Sequence, residues 1–196
     1  MSVAALEPEE QARANFYALL ARLLSAPPDR ELLRALSAAA GLEAEGEPPP
    51  LAQAWGDLVA AAAQADPEAV REEYESAFVG TGKAEVTLYG CAYLEPQSDR
   101  NPLVEIREFL AAHGLQRRNA VHEPEDHIAA LCEVMRHLIE RQDAAVQRDF
   151  FARFLARSAD RLCDAIIQCE RLGFYRSVAR FGKIFFALEH SGFEMD

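Results

Sequence analysis

The chain has 196 residues, half of them hydrophobic, with 32 Asp and Glu against 20 Lys and Arg and a net charge of −12. That balance argues against nucleic acid, whose phosphates need a basic patch, and against an anionic membrane surface; it suits a cationic partner, whose encounter an acidic surface speeds. The apolar half suffices for a sizeable core in one domain, and no stretch nears the ~20 apolar residues of a membrane span.

The start, MSVAALEPEEQARANF, has no basic region followed by an apolar run, so no signal peptide is expected. EEQARANFYALLARLL places Ala12, Phe16, Leu19, Leu20, Leu23 and Leu24 at helical spacing, and Ala26-Pro27-Pro28 stops that helix. Asp29 caps a second helix over Glu31 to Ala40, ended by Gly41. After the loop GLEAEGEPPP, Leu51 to Ala65 forms an Ala-rich helix carrying the chain's one tryptophan, Trp55, which is expected in the core. Asp66-Pro67, a cap followed by a first-turn proline, opens a helix ending near Phe78. Residues 79–100 form the longest non-helical stretch, read as an ordered loop because it holds Val86, Leu88, Tyr89, Tyr93 and Leu94. Asn101-Pro102 opens LVEIREFLAAH, closed by Gly114, and a connector covers 115–123. Helices are then expected over Pro124 to Arg141, from Asp143 to about Ala156, from a Ser158 cap to about Leu172, and from about Phe174 to His190. No strand-period run of useful length and no repeat appears. The fold class is all-α: a single-domain bundle of about eight to ten helices spanning 1–196.

Polar chemistry concentrates at EPEDHIAALC, Glu123 to Cys132. A metal reading fails on spacing. Leu131 stands where a second histidine of an i, i+4 pair would be, and His137 lies ten residues on, about 15 Å along a helix. No nucleophile elbow, P-loop or dinucleotide fingerprint is present. The cysteines, Cys91, Cys132, Cys163 and Cys169, form no CxxC pair and read as reduced, mostly buried thiols. The plainest account is a helix N-terminus: Pro124 in the first turn, Glu125 and Asp126 complementing the dipole, and Ile128, Leu131, Met135 and Leu138 as the buried stripe. That account leaves His127 unexplained, since a cation is disfavoured there, and a ligand contact from His127 stays open.

Glu123-Pro124-Glu125-Asp126-His127-Ile128 resembles the E-P-x-D-H-[IL] motif of the TorD/DmsD/NarJ-type chaperones, assembly proteins for molybdenum oxidoreductases. Upstream, Tyr74-Glu75-Ser76-Ala77-Phe78-Val79-Gly80 resembles that family's Y-x-x-L-F-x-G, and Leu88-Tyr89-Gly90-Cys91-Ala92-Tyr93 stands at its P-Y-E-S-x-Y. Ala77 replaces a leucine, Leu88 a proline, and Gly90-Cys91 a Glu-Ser pair. The resemblance implies a cytoplasmic, non-enzymatic chaperone. Its partner would be the apo catalytic subunit of a molybdenum oxidoreductase, bound through an N-terminal region or twin-arginine signal peptide until cofactor insertion. The expected contacts are Tyr74, Phe78, Gly80, Tyr89, Tyr93, Glu123, Pro124, Asp126, His127 and Ile128. An aromatic groove would take the apolar segment, and Asp126 an arginine. No metal, cofactor or nucleic acid is implied, and the protein would be a monomer or homodimer. Three alternatives stand beside this reading: a NarJ-like factor for a client that is not exported, a small helical acid–base enzyme using Asp126 and His127, and a helical adaptor unconnected with molybdenum.

Overall fold

Short-range capping chemistry decides where most helices begin. The computed structural model describes residues 5–42, 46–80, 84–94, 101–115 and 124–195. The Asp29 carboxylate accepts the Leu32 N–H at 2.8 Å and starts α2 (Arg30–Ser37). Asp66 accepts from Glu68 to start α4 (Pro67–Tyr74), Asn101 from Leu103 to start α5 (Pro102–Ala112), and Asp143 from Val146 to start α7 (Ala144–Phe150). Each acceptor satisfies a backbone donor that the first helical turn leaves orphaned. The remaining helices are α1 (Pro8–Ser25), α3 (Pro50–Gln64), α6 (Ile128–Glu140), α8 (Ala156–Gln168) and α9 (Phe174–Met195). The described residues contain no strand, only an isolated antiparallel bridge between Tyr89 and His127.

Several expectations are corrected. In α1 the buried residues are Ala14, Tyr17, Leu20, Ala21, Leu23 and Leu24, while Ala12 is exposed and Phe16 and Leu19 are half-buried. α2 ends at Ser37, short of Gly41. Ser158 caps nothing. It is fully buried inside a continuous helical run, and its Oγ donates to the Phe154 and Leu155 carbonyls at 2.5 and 3.2 Å. That run passes from α7 through a π-helical turn, Phe151–Leu155, into α8. A second π turn, Glu75–Val79, extends α4 and closes at Gly80, whose N–H donates to the Glu75 carbonyl at 2.8 Å. Gly80 has φ +60° and ψ 158°, a region open almost only to glycine.

The helices gather into two compact units, Met1–Leu24 with Tyr89–Ser158, and Ser25–Leu88 with Ala159–Asp196. The first buries Ile106, Phe109 and Leu110 of α5, Leu131, Met135 and Ile139 of α6, and Phe150 and Phe154. Its aromatic centre is Phe109, with ring centroids 5.4 Å from Phe150 and 5.5 Å from Phe154. In the second unit α3 packs along α9, with Trp55 and Phe181 5.4 Å apart. The Trp55 indole N–H reaches the Ala40 carbonyl at 2.8 Å, so this buried ring also has its polar handle satisfied. Glu73 of α4 supplies the start of α9: its carboxylate accepts from the Phe174 N–H at 3.1 Å and from the Tyr175 N–H at 3.5 Å.

Candidate functional site

The expected contact residues divide between the two units. Tyr74, Phe78 and Gly80 lie in the second; Tyr89, Tyr93, Pro124, Asp126, His127 and Ile128 lie in the first. Glu123, with His122, lies outside the described residues. Tyr74 and Phe78 are core residues, each 8% exposed. Their rings meet at 5.2 Å, and each also meets Tyr175, at 5.7 and 5.1 Å. Gly80 serves the turn described above. In the first unit Ile128 is fully buried, and among the described residues of the motif segments there Tyr89, at 38%, is the one exposed large side chain.

Pro124 to His127 are not the first turn of a helix. Pro124 to Asp126 form a turn ahead of α6, in which the His127 N–H donates to the Pro124 carbonyl at 3.1 Å. His127 is the N-cap: its backbone is extended, at φ −61° and ψ 132°, and its Nδ1 accepts the Ala129 N–H at 3.2 Å. This explains the histidine that helix-dipole reasoning left over. It stands at the positive end of α6 as an acceptor of hydrogen bonds, where a carboxylate or amide oxygen more commonly does that work. Replacing His127 by Ala is expected to lower stability by about 1 kcal/mol, and replacing it by Asn to recover most of that, in chemical denaturation.

Asp126 latches a second segment to this turn. Its carbonyl accepts the Gly90 N–H at 2.7 Å and its carboxylate accepts the Cys91 N–H at 3.3 Å. Between these bonds and the Tyr89–His127 bridge, residues 89–91 are held against the start of α6. The Tyr89 ring stands edge-on to the His127 imidazole, centroids 5.4 Å apart at 85°. One turn closes the segment, the Tyr93 N–H donating to the Gly90 carbonyl at 2.9 Å. Glu125 reaches in the other direction, pairing with Arg107 of α5 at 3.0 Å. Asp126 and His127 are only 5% and 6% exposed, so their polar atoms work inside the protein, on backbone donors. Burial first, and the Asp126 carboxylate second, push the Cys91 thiol up to about 12.

Three participants escaped sequence reasoning. Gly90 and Cys91 stood out only as departures from a pattern, and Arg107 carries no local signal because its partner is 18 residues away. Among the described residues no three His, Cys, Asp or Glu side chains gather as for a metal ion, and no helix is long and apolar enough to cross a membrane.

Comparison with known proteins places this arrangement. The nitrate reductase delta subunit family model matches residues 44–166. A Haemophilus influenzae protein assigned as the Tat proofreading chaperone DmsD is 26% identical over 112 residues, 56% of this chain and 55% of its own length. The match thus spans about half of that relative. The chaperone protein TorD of Shewanella pealeana is 24% identical over 191 residues, 89% of this chain and 86% of its own. Among solved structures, a protein of Archaeoglobus fulgidus assigned to redox enzyme maturation shares the fold, with a TM-score of 0.54 and 20% identity over 95% of this chain and 98% of its own. With a family model covering well over half the chain and TorD and DmsD chaperones among its relatives, the protein belongs to the nitrate reductase delta subunit family and is of the TorD/DmsD/NarJ type.

Proposed function

We propose that the protein is an assembly chaperone for a molybdenum oxidoreductase, without catalytic activity of its own. It binds the N-terminal region of the apo catalytic subunit, in the first instance a twin-arginine leader, and holds the subunit back from export until its cofactor is inserted. Family membership together with the latch carries this reading. The motif residues are spent on positioning the aromatic segment 89–93, which leaves Tyr89 at the surface. Asp126 and His127 act through that segment, and the acidic surface of the chain supplies long-range attraction for a basic leader. We place the first client contacts at Tyr89 and Tyr93. Tyr74 and Phe78 serve the core in this reading.

The same geometry disfavours acid–base catalysis. The Asp126 carboxylate and the His127 Nδ1 both face backbone N–H groups, and each is nearly enclosed. The NarJ-like alternative, a client that is never exported, is separated by experiment. The tagged protein is expressed with its genomic neighbours and the co-purifying chains are identified. A cofactor-free molybdoenzyme subunit recovered only with its leader intact supports leader recognition. Equal recovery of leaderless subunit supports the NarJ-like mode, and recovery of no such subunit while one is expressed refutes the chaperone reading.

A further inference from the structure

Resting on that reading, we infer that Gly90 is a positioning residue for client recognition: the absence of a side chain there sets how closely residues 89–93 seat on α6, and so where Tyr89 stands. Gly90 is buried, and its surroundings are fixed on three sides. A Cβ at this position would lie 3.2 Å from the Asp126 carbonyl, 3.2 Å from Leu131 Cδ1 and 3.4 Å from Ser158 Cβ. None of the three has an easy way to move. The Asp126 carbonyl accepts Gly90's own N–H. Leu131 is fully buried, in a core packed too densely for free rearrangement. Ser158 is fully buried and bonded through Oγ to the carbonyls of the π turn.

The neighbours of Gly90 are the parts that matter for recognition. Tyr89 immediately precedes it, and the Cys91 N–H on the Asp126 carboxylate immediately follows. An added methyl group therefore lifts the segment by a few tenths of an ångström and loosens both anchors together. Such a shift is small for stability and large for a surface that must meet an incoming peptide.

The test compares wild type, Gly90→Ala and Gly90→Ala/Leu131→Val. The second substitution removes the δ-carbons that the added Cβ meets, so the double variant carries the comparison where Gly90→Ala alone fails to fold. Amide hydrogen exchange is followed at residues 90 and 91, and affinity is measured for a fluorescein-labelled peptide with an arginine pair followed by an apolar segment. In Gly90→Ala both amides are expected to exchange about tenfold faster and the peptide to bind about tenfold more weakly, with α6 protection unchanged. The double variant is expected to move both readouts back toward wild type. Slower or unchanged exchange overturns the proposal, and so does peptide binding indifferent to a loosened segment. Wild type that fails to bind the peptide refutes the client reading and this inference with it, whereas wild-type binding unaffected by Gly90→Ala overturns this inference alone.

Discussion

Phe78→Ala is expected to lower the unfolding free energy by about 3–5 kcal/mol, the usual penalty for emptying a buried phenylalanine site. Phe78 is 8% exposed, and its ring meets Tyr74 and Tyr175 edge-on at 5.2 and 5.1 Å. Removing it costs the transfer of the ring, leaves a cavity and undoes two favourable aromatic pairs. The π turn that carries Phe78 is itself tied down, because the Val86 N–H donates to the Ala77 carbonyl at 3.0 Å. The cavity therefore collapses poorly. Phe78→Leu keeps most of the volume and is expected to cost less than about 1.5 kcal/mol. Chemical denaturation of the three proteins checks the order. The comparison also decides what this motif phenylalanine is for. A residue lining a client groove would lose peptide affinity on truncation with stability nearly intact. A core residue loses stability, and the Leu variant keeps its affinity. Unchanged stability in Phe78→Ala would return Phe78 to the client surface.

The second large effect is expected at Asp126. Asp126→Ala leaves the Cys91 N–H without its carboxylate acceptor, at a cost of about 1–3 kcal/mol, more than the bond itself contributes in exchange with water. Asp126→Asn keeps an oxygen in place and is expected to fall between. Cys91 reports the change independently. Its thiol is pushed from 9.0 up to about 12, by burial first and then by hydrogen bonding and charge from Asp126. The folded protein thus holds the thiol proton more tightly than the unfolded chain. The associated stability is complete below about pH 9 and is lost as pH rises toward 12. Asp126→Asn removes the charge and leaves the burial, so the thiol ionises at lower pH and the alkaline loss of stability becomes smaller. Alkylation of Cys91 by iodoacetamide at about pH 9, followed by mass spectrometry, is expected to be faster in Asp126→Asn than in wild type, because the thiolate is the nucleophile. Equal rates would mean that the carboxylate does not govern this thiol, and the latch as drawn would be wrong.

These variants bear on how the motif is understood. Asp126 and His127 read from sequence as a pair aimed at a ligand. Alanine substitution at either will weaken client binding whether the residue touches the client or shapes the segment that does. The conservative variants separate the two cases. His127→Asn restores the N-cap without restoring an imidazole, and Asp126→Asn restores an acceptor without restoring a charge. Recovery of binding in both assigns the pair a positioning role; recovery in neither assigns direct contact.

Much of the architecture was legible because it is local. Asp29, Asp66, Asn101 and Asp143 each cap a helix as their neighbours predict, since the donor and acceptor lie two or three residues apart. Trp55 and the Ile128, Leu131, Met135 and Leu138 stripe are buried as the helical period requires. The all-α class and the family both follow from patterns of this range. Most of what was misread depends on groups far apart in the chain. Pro124, Glu125 and Asp126 have the composition of a helical first turn, yet α6 starts at Ile128, because the bonds from Gly90 and Cys91 to Asp126 and the bridge from Tyr89 to His127 hold 124–127 outside the helix. Ser158 has the composition of a cap and instead bonds back to carbonyls within a continuous run. Glu73 carries no local signal of its role, yet its carboxylate accepts from the Phe174 N–H, 101 residues on. The amino-acid sequence by itself determined the helices that a side chain caps locally, the apolar stripe of α6 and the family to which the chain belongs, since those depend on contacts spanning a few residues. Only the tertiary structure decided that Asp126 and His127 face inward, because a hydrogen-bonding group takes whichever partner folding brings within reach, and burial makes an unsatisfied one too costly to keep.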